Sequence, residues 1–119
     1  MQNEEKILVA LYAEAIHCGN FNEVNRATMG MESREFGWAL YILQMRGLIA
    51  GCTFQPPAPG SAENLMGVIR DALILTPEGF RRAEEHFCGS TEQKFHKIWG
   101  FLRDAGCQIF AEIVMRWME

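Results

Sequence analysis

The sequence predicts a mainly α, α+β fold: a winged helix-turn-helix domain with a two-stranded β-hairpin wing and a C-terminal amphipathic helical extension. Three observations carry this prediction. An apolar helical run ends at Arg46-Gly47-Leu48-Ile49 and is followed by a proline-rich stretch. Aliphatic sequence resumes at Ala72-Leu73-Ile74-Leu75, and Thr76-Pro77-Glu78-Gly79-Phe80 then has the composition of a helix start. Helix, hairpin and helix start, in that order, form the skeleton of a winged helix-turn-helix unit. At 119 residues the chain fits one modest core. Its pattern divides into a winged-helix body at 1–88 and an extension at 89–119.

The first helix is expected from Glu4 to His17, where Ile7, Leu8, Leu11, Tyr12, Ala15 and Ile16 recur at helical spacing to give one buried face. Gly19-Asn20 stops it. A two-turn second helix is expected from Asn22 to Thr28, as short middle helices are common in such units. Glu32 or Ser33 caps the third, which buries Phe36, Ala39, Leu40 and Leu43 and closes at Gly47, where a left-handed residue is wanted. Leu48 to Phe54 reads as a strand and Leu65 to Leu75 as its return. Between them, Gln55 to Asn64 holds three prolines, which withhold donors and fix φ, so it reads as a loop.

Thr76 is placed as an N-cap, with Pro77 at the first helical position and Glu78 in the first turn. That helix carries Phe80, Ala83 and Phe87. Ser90 and Gln93 form a capping box for the last helical region. There Phe95, Ile98, Trp99, Leu102, Ile109, Phe110, Ile113 and Trp117 share one face. Unbroken from Thr91 to Met118, such a helix would extend roughly 40 Å, more than a small body can cover. Either it bends near Ala105-Gly106 and folds back, or the excess stripe joins two copies into a homodimer.

Composition narrows the function. Eleven Lys and Arg stand against fifteen Asp and Glu, a formal net charge of -4. Proteins that hold nucleic acid through phosphates need a positive face, so the acidic balance weighs against DNA without excluding it. The acidic start lacks the basic and apolar regions of a signal peptide, and no apolar run is long enough to span a bilayer. A cytoplasmic protein with no membrane association is expected. Cys18, Cys52, Cys88 and Cys107 form no C-x-x-C pair, and His17 with Cys18 or His86 with Cys88 reads as structural, so no metal or other cofactor is assigned. The three histidines lie on separate elements, and neither a nucleophile elbow nor a phosphate loop is present. The chain is read as a non-enzyme with no catalytic residues.

Four segments resemble the YjcQ-like family of phage-associated winged-helix proteins. They are Lys6 to Tyr12, Gly30 to Phe36, Leu43 to Gly51, and Leu75-Thr76-Pro77-Glu78-Gly79. The resemblance covers residues 6 to about 88. It implies a phage-associated cytoplasmic DNA-binding protein acting in transcription regulation, with no catalytic residues to carry over.

The residues that would touch DNA fit that role poorly. The outward face of the third helix centres on Arg34, Trp38, Tyr41 and Met45, one cation among two aromatics and a thioether. Glu32 and Glu35 stand near its start, and the wing from Gln55 to Gly67 contains neither Lys nor Arg. Candidate nucleic-acid contacts are Arg34, Tyr41, Gln44, Arg70, Arg81 and Arg82, with Arg26 and Arg46 as further cations. Aromatic, Met and Arg side chains on one stripe are the composition of a protein interface. Candidate interface residues are therefore Arg34, Trp38, Tyr41 and Met45, with Phe95, Trp99, Ile109, Ile113 and Trp117 in the extension. A third possibility is that the helix face lies buried under the extension or a second subunit. Two functions follow: a DNA-binding regulator, or a non-catalytic protein-binding module such as a phage-encoded, anti-CRISPR-like inhibitor of a host defence nuclease.

Overall fold

Seven consecutive residues, Ile7 to Ala13, are buried in the first helix, α1 (Asn3–His17). The spacing predicts one buried face, but the middle of α1 is buried all round because other helices pack against several of its sides. In the computed structural model, which describes residues 2–17, 19–56 and 67–119, those partners are α2 (Ser33–Met45), α3 (Pro77–Glu84), α4 (Thr91–Asp104) and α5 (Gln108–Trp117). The fold is mainly helical, with a small antiparallel hairpin between α2 and α3.

The expected second helix does not form. Residues 21–31 run through turns, stabilised by a reciprocal pair in which Asn25 N–H donates to Thr28 Oγ1 at 3.1 Å and Thr28 N–H donates to Asn25 Oδ1 at 2.9 Å. Thr28 Oγ1 also donates to the Glu23 carbonyl at 2.6 Å. Asn and Thr side chains thus take backbone groups that a helix would have used. Val24 and Met29 still reach the core.

Glu32 is the N-cap of α2, and its N–H donates to Glu35 Oε1 at 3.0 Å. At the other end Gly47 adopts φ 75°, and Leu48 N–H reaches back to the Leu43 carbonyl at 3.0 Å. That left-handed closure turns the chain into the hairpin.

The outgoing strand is broken in two. β1 (Ile49–Ala50) pairs with β4 (Ile74–Leu75), and β2 (Thr53–Gln55) pairs with β3 (Gly67–Ile69), both antiparallel. Between the two ladders, Gly51 and Cys52 face the longer segment Arg70 to Leu73, which turns on itself through Leu73 N–H to the Arg70 carbonyl at 3.0 Å. This is a bulge, and it bends the arm. Gly51, at φ 89°, is required there because a Cβ would lie 1.9 Å from the Ala72 carbonyl oxygen. The proline-rich loop expected from Gln55 to Asn64 falls mostly on residues 57–66, outside the described residues, as do Leu65 and Met66 of the expected return strand.

α3 starts as the sequence predicts, with Thr76 Oγ1 accepting from Gly79 N–H at 3.0 Å and donating to the Gly47 carbonyl at 2.7 Å. The Ser90–Gln93 capping box opens α4. The long C-terminal helix is not continuous. It breaks at Ala105-Gly106-Cys107, Gly106 taking φ 85°, and α5 folds back on α4. Phe95, Ile98, Leu102, Phe110 and Val114 join one core with Ile7, Leu11 and Leu40. Phe110 N–H donates to the Thr28 carbonyl at 3.0 Å, tying α5 to the turn segment. No described helix is long and apolar enough to cross a membrane.

Candidate functional site

α2 buries Phe36, Ala39, Leu40 and Leu43, which forces the intervening positions outward. Trp38 keeps 52% of its surface exposed and Met45 69%, and Arg34 is exposed near the start of the helix. The extension therefore does not cover this face. Trp38 meets Tyr41 edge to face at 5.5 Å, and Tyr41 meets Phe54 of β2 in the same way at 5.3 Å. Three rings thus form a ladder from the middle of α2 onto the hairpin. Each such contact adds about 0.5–1.5 kcal/mol beyond the area it buries, so the ladder is held in place before any partner arrives.

Phe54 was not among the residues expected at the site. It faces Val68 across the hairpin. Its alignment with Tyr41 depends on how the arm bends, which no local sequence pattern reports. Ile69, next to Val68, alternates to the other face and is exposed.

Charge of both signs stands beside the ladder: the exposed Arg34 lies one turn before Trp38, and the hollow next to Trp38 is acidic. Glu35 is held below the usual carboxylate range by the Glu32 backbone N–H and then by the Asn3 side-chain amide at 3.3 Å. It borders, with Glu4, Trp38 and Ile42, a hollow of about 330 Å³ at the edge of the ladder. Phosphate would be repelled there, whereas a cationic group beside an apolar one would be accepted.

Three of the six candidate nucleic-acid residues are engaged inside the chain. Gln44 uses both ends of its amide on one residue: Nε2 donates to the Cys52 carbonyl and Oε1 accepts from the Cys52 N–H, each at 2.9 Å. It replaces the cross-strand partner that the bulge removes and leaves no amide edge for a base. Arg70 is drawn inward over the Phe36 ring at 5.5 Å, with its guanidinium donating to the Val24 carbonyl. It ties the hairpin to the turn segment. Arg81 is clasped by Glu78 and Glu85 on its own helix. Arg34 and Arg82 are exposed and Tyr41 is half-buried within the ladder. The further cation Arg46 lies near the opposite end of α2, roughly 18 Å from Arg34 along the axis, and faces Glu4 at 3.9 Å.

The extension's candidate interface residues do not form a free stripe. Phe95 is buried within the chain. Trp117 stacks on His17 at 4.0 Å and meets Phe95 and Phe110 edge to face. Trp99 carries the Arg103 guanidinium at 4.5 Å, and Ile113 packs against the core. Ile109, at 53% exposure, and Met115 are the large apolar side chains left open on α5. Bending at Gly106 brings the two halves of the stripe against α1 and each other, and most of its area is used there.

No metal-ligating group of three His, Cys, Asp or Glu comes together among the described residues. Comparison with protein-family models, with curated proteins and with solved structures returned no match.

Proposed function

We propose that the chain is a winged-helix protein used as a non-catalytic protein-binding module, with Trp38, Tyr41, Met45 and Phe54 as anchors for a basic protein surface. In this reading α2 stands where a recognition helix would and the hairpin is the wing. Turns at 21–31 replace the middle helix. The observation that carries the proposal is the pre-ordered ladder of rings, Trp38 exposed and Tyr41 and Phe54 half-buried, beside Glu35 and on a face where Gln44 is already engaged with backbone. Large aromatic anchors of this kind dominate protein interfaces, and fixing them beforehand lowers the entropy cost of docking. An acidic module of this composition suits a cationic channel built for nucleic acid, the role expected of a phage-encoded inhibitor of a host defence nuclease.

The test is co-purification from a bacterial host with the intact chain and with Trp38→Ala, followed by competition with nucleic acid for the captured protein. A basic partner lost on Trp38→Ala and released by nucleic acid supports the reading. Equal capture by both chains contradicts it.

DNA binding is the second reading, favoured by the exposed Arg34 and the half-buried Tyr41 on α2 and by the resemblance of residues 6 to 88 to the YjcQ-like proteins. It requires affinity that falls steeply with salt and weakens on Arg34→Ala.

A further inference from the structure

On the side of the molecule where α1 faces α3, a cleft of about 520 Å³ opens between α1, α3, the end of α2 and α4. Its size lies within the range of small-ligand sites, roughly 300–1,000 Å³. Both long walls have the same internal pattern. On α1, Glu4 and Glu5 stand one turn from Leu8 and Val9; at α3, Arg82 and His86 alternate with Ala83 and Phe87 one turn apart. Each wall thus sets a polar row beside an apolar row, one acidic and the other basic, and Arg46 from the end of α2 also lines the cleft, facing Glu4 on the acidic side. Phe101 of α4, edge to face with Phe87 at 6.2 Å, closes the apolar floor.

The charges are unequally committed. Glu4 faces Arg46 at 3.9 Å, while the exposed Glu5 has no ion pair among the described residues. Arg81 takes up Glu78 and Glu85, and its neighbour Arg82 has no ion pair among the described residues. A simple anion would suit Arg82 but face Glu5, and a simple cation would meet the reverse. A ligand with both charges and an apolar body meets all three surfaces.

We infer that this cleft binds a free α-amino acid with an apolar side chain, its carboxylate toward Arg82 and His86, its ammonium toward Glu5, and its side chain on Val9, Phe87 and Phe101. None of the three ladder rings lines this cleft, which shares only Glu4 with the hollow beside Trp38.

The experiment titrates L-phenylalanine into the full-length chain and follows amide and aromatic resonances by NMR. Hydrocinnamate, which lacks the ammonium, and phenethylamine, which lacks the carboxylate, serve as matched probes. Saturable shifts at Val9, Phe87 and Phe101 are expected, with each matched probe roughly tenfold weaker. Arg82→Gln should weaken phenylalanine roughly tenfold without weakening phenethylamine; Glu5→Gln should weaken phenylalanine without weakening hydrocinnamate. Both side chains are exposed, so the variants test recognition rather than folding. No saturable shift up to about 10 mM overturns the inference, since that is weaker than a specific small-ligand site. So does equal binding of the three probes, which marks an apolar hollow only, or binding unaffected by either substitution.

Discussion

The amide of Gln44 could have met an adenine, yet both of its ends are used to complete the backbone of Cys52. Cys52 is buried, so removing the amide leaves an N–H and a carbonyl without partners in a place water reaches poorly. Gln44→Ala should lower unfolding stability by about 1–3 kcal/mol, measured by urea denaturation. A loss of only a few tenths would show that water replaces the amide. The cysteines allow a second check at this scale. Burial raises the thiol pKa of Cys52 and of Cys107 and disfavours the reactive thiolate of each, while Cys88 is exposed. Alkylation of the native chain followed by mass spectrometry should modify Cys88 and spare Cys52 and Cys107 until denaturant is added.

At the scale of elements, the motifs with strong local chemistry were legible. Thr76-Pro77-Glu78-Gly79 starts α3, Ser90 and Gln93 cap α4, and Gly47 ends α2 because each satisfies backbone groups within a few residues of itself. Elements decided by tertiary contact were not. The turns at 21–31 are held from a distance by Arg70 on the Val24 carbonyl and Phe110 N–H on the Thr28 carbonyl, although Phe21 and Val24 are spaced as in a short helix. The break within the strand depends on the closeness of Gly51 to the Ala72 carbonyl. The fold-back of α5 was visible only as one of two alternatives, since a stripe reads alike whether it faces its own body or another copy.

Gly79 shows the same limit. Its sequence context signals a helix start, but its need for glycine is tertiary: a Cβ there would lie 2.0 Å from the Leu48 carbonyl oxygen. Gly79→Ala should therefore destabilise by about 1–3 kcal/mol through a forced shift of α3 against the Leu48 backbone, although alanine favours helix. Phe110→Ala should cost about 3–5 kcal/mol, because it empties a fully buried ring site where α5 meets the core. Thermal or urea unfolding checks both. A neutral Phe110→Ala would show that α5 does not share the cooperative core.

For the molecule as a whole, one core organised around α1 leaves two faces with unspent chemistry: the ring ladder on α2 and the hairpin, and the two-signed cleft between α1 and α3. The outward stripe Arg34, Trp38, Tyr41 and Met45 was legible as a stripe, but its exposure and its continuation through Phe54 were not. Trp38→Ala should leave the melting temperature nearly unchanged, since the ring is half exposed and outside the core, and should remove partner capture. The central claim is that this face docks protein and not DNA. It is tested most directly by fluorescence anisotropy of labelled mixed-sequence duplex DNA titrated with the full chain at low salt. No binding that strengthens as salt is lowered is expected; binding that falls steeply with added salt and is lost on Arg34→Ala would contradict the claim.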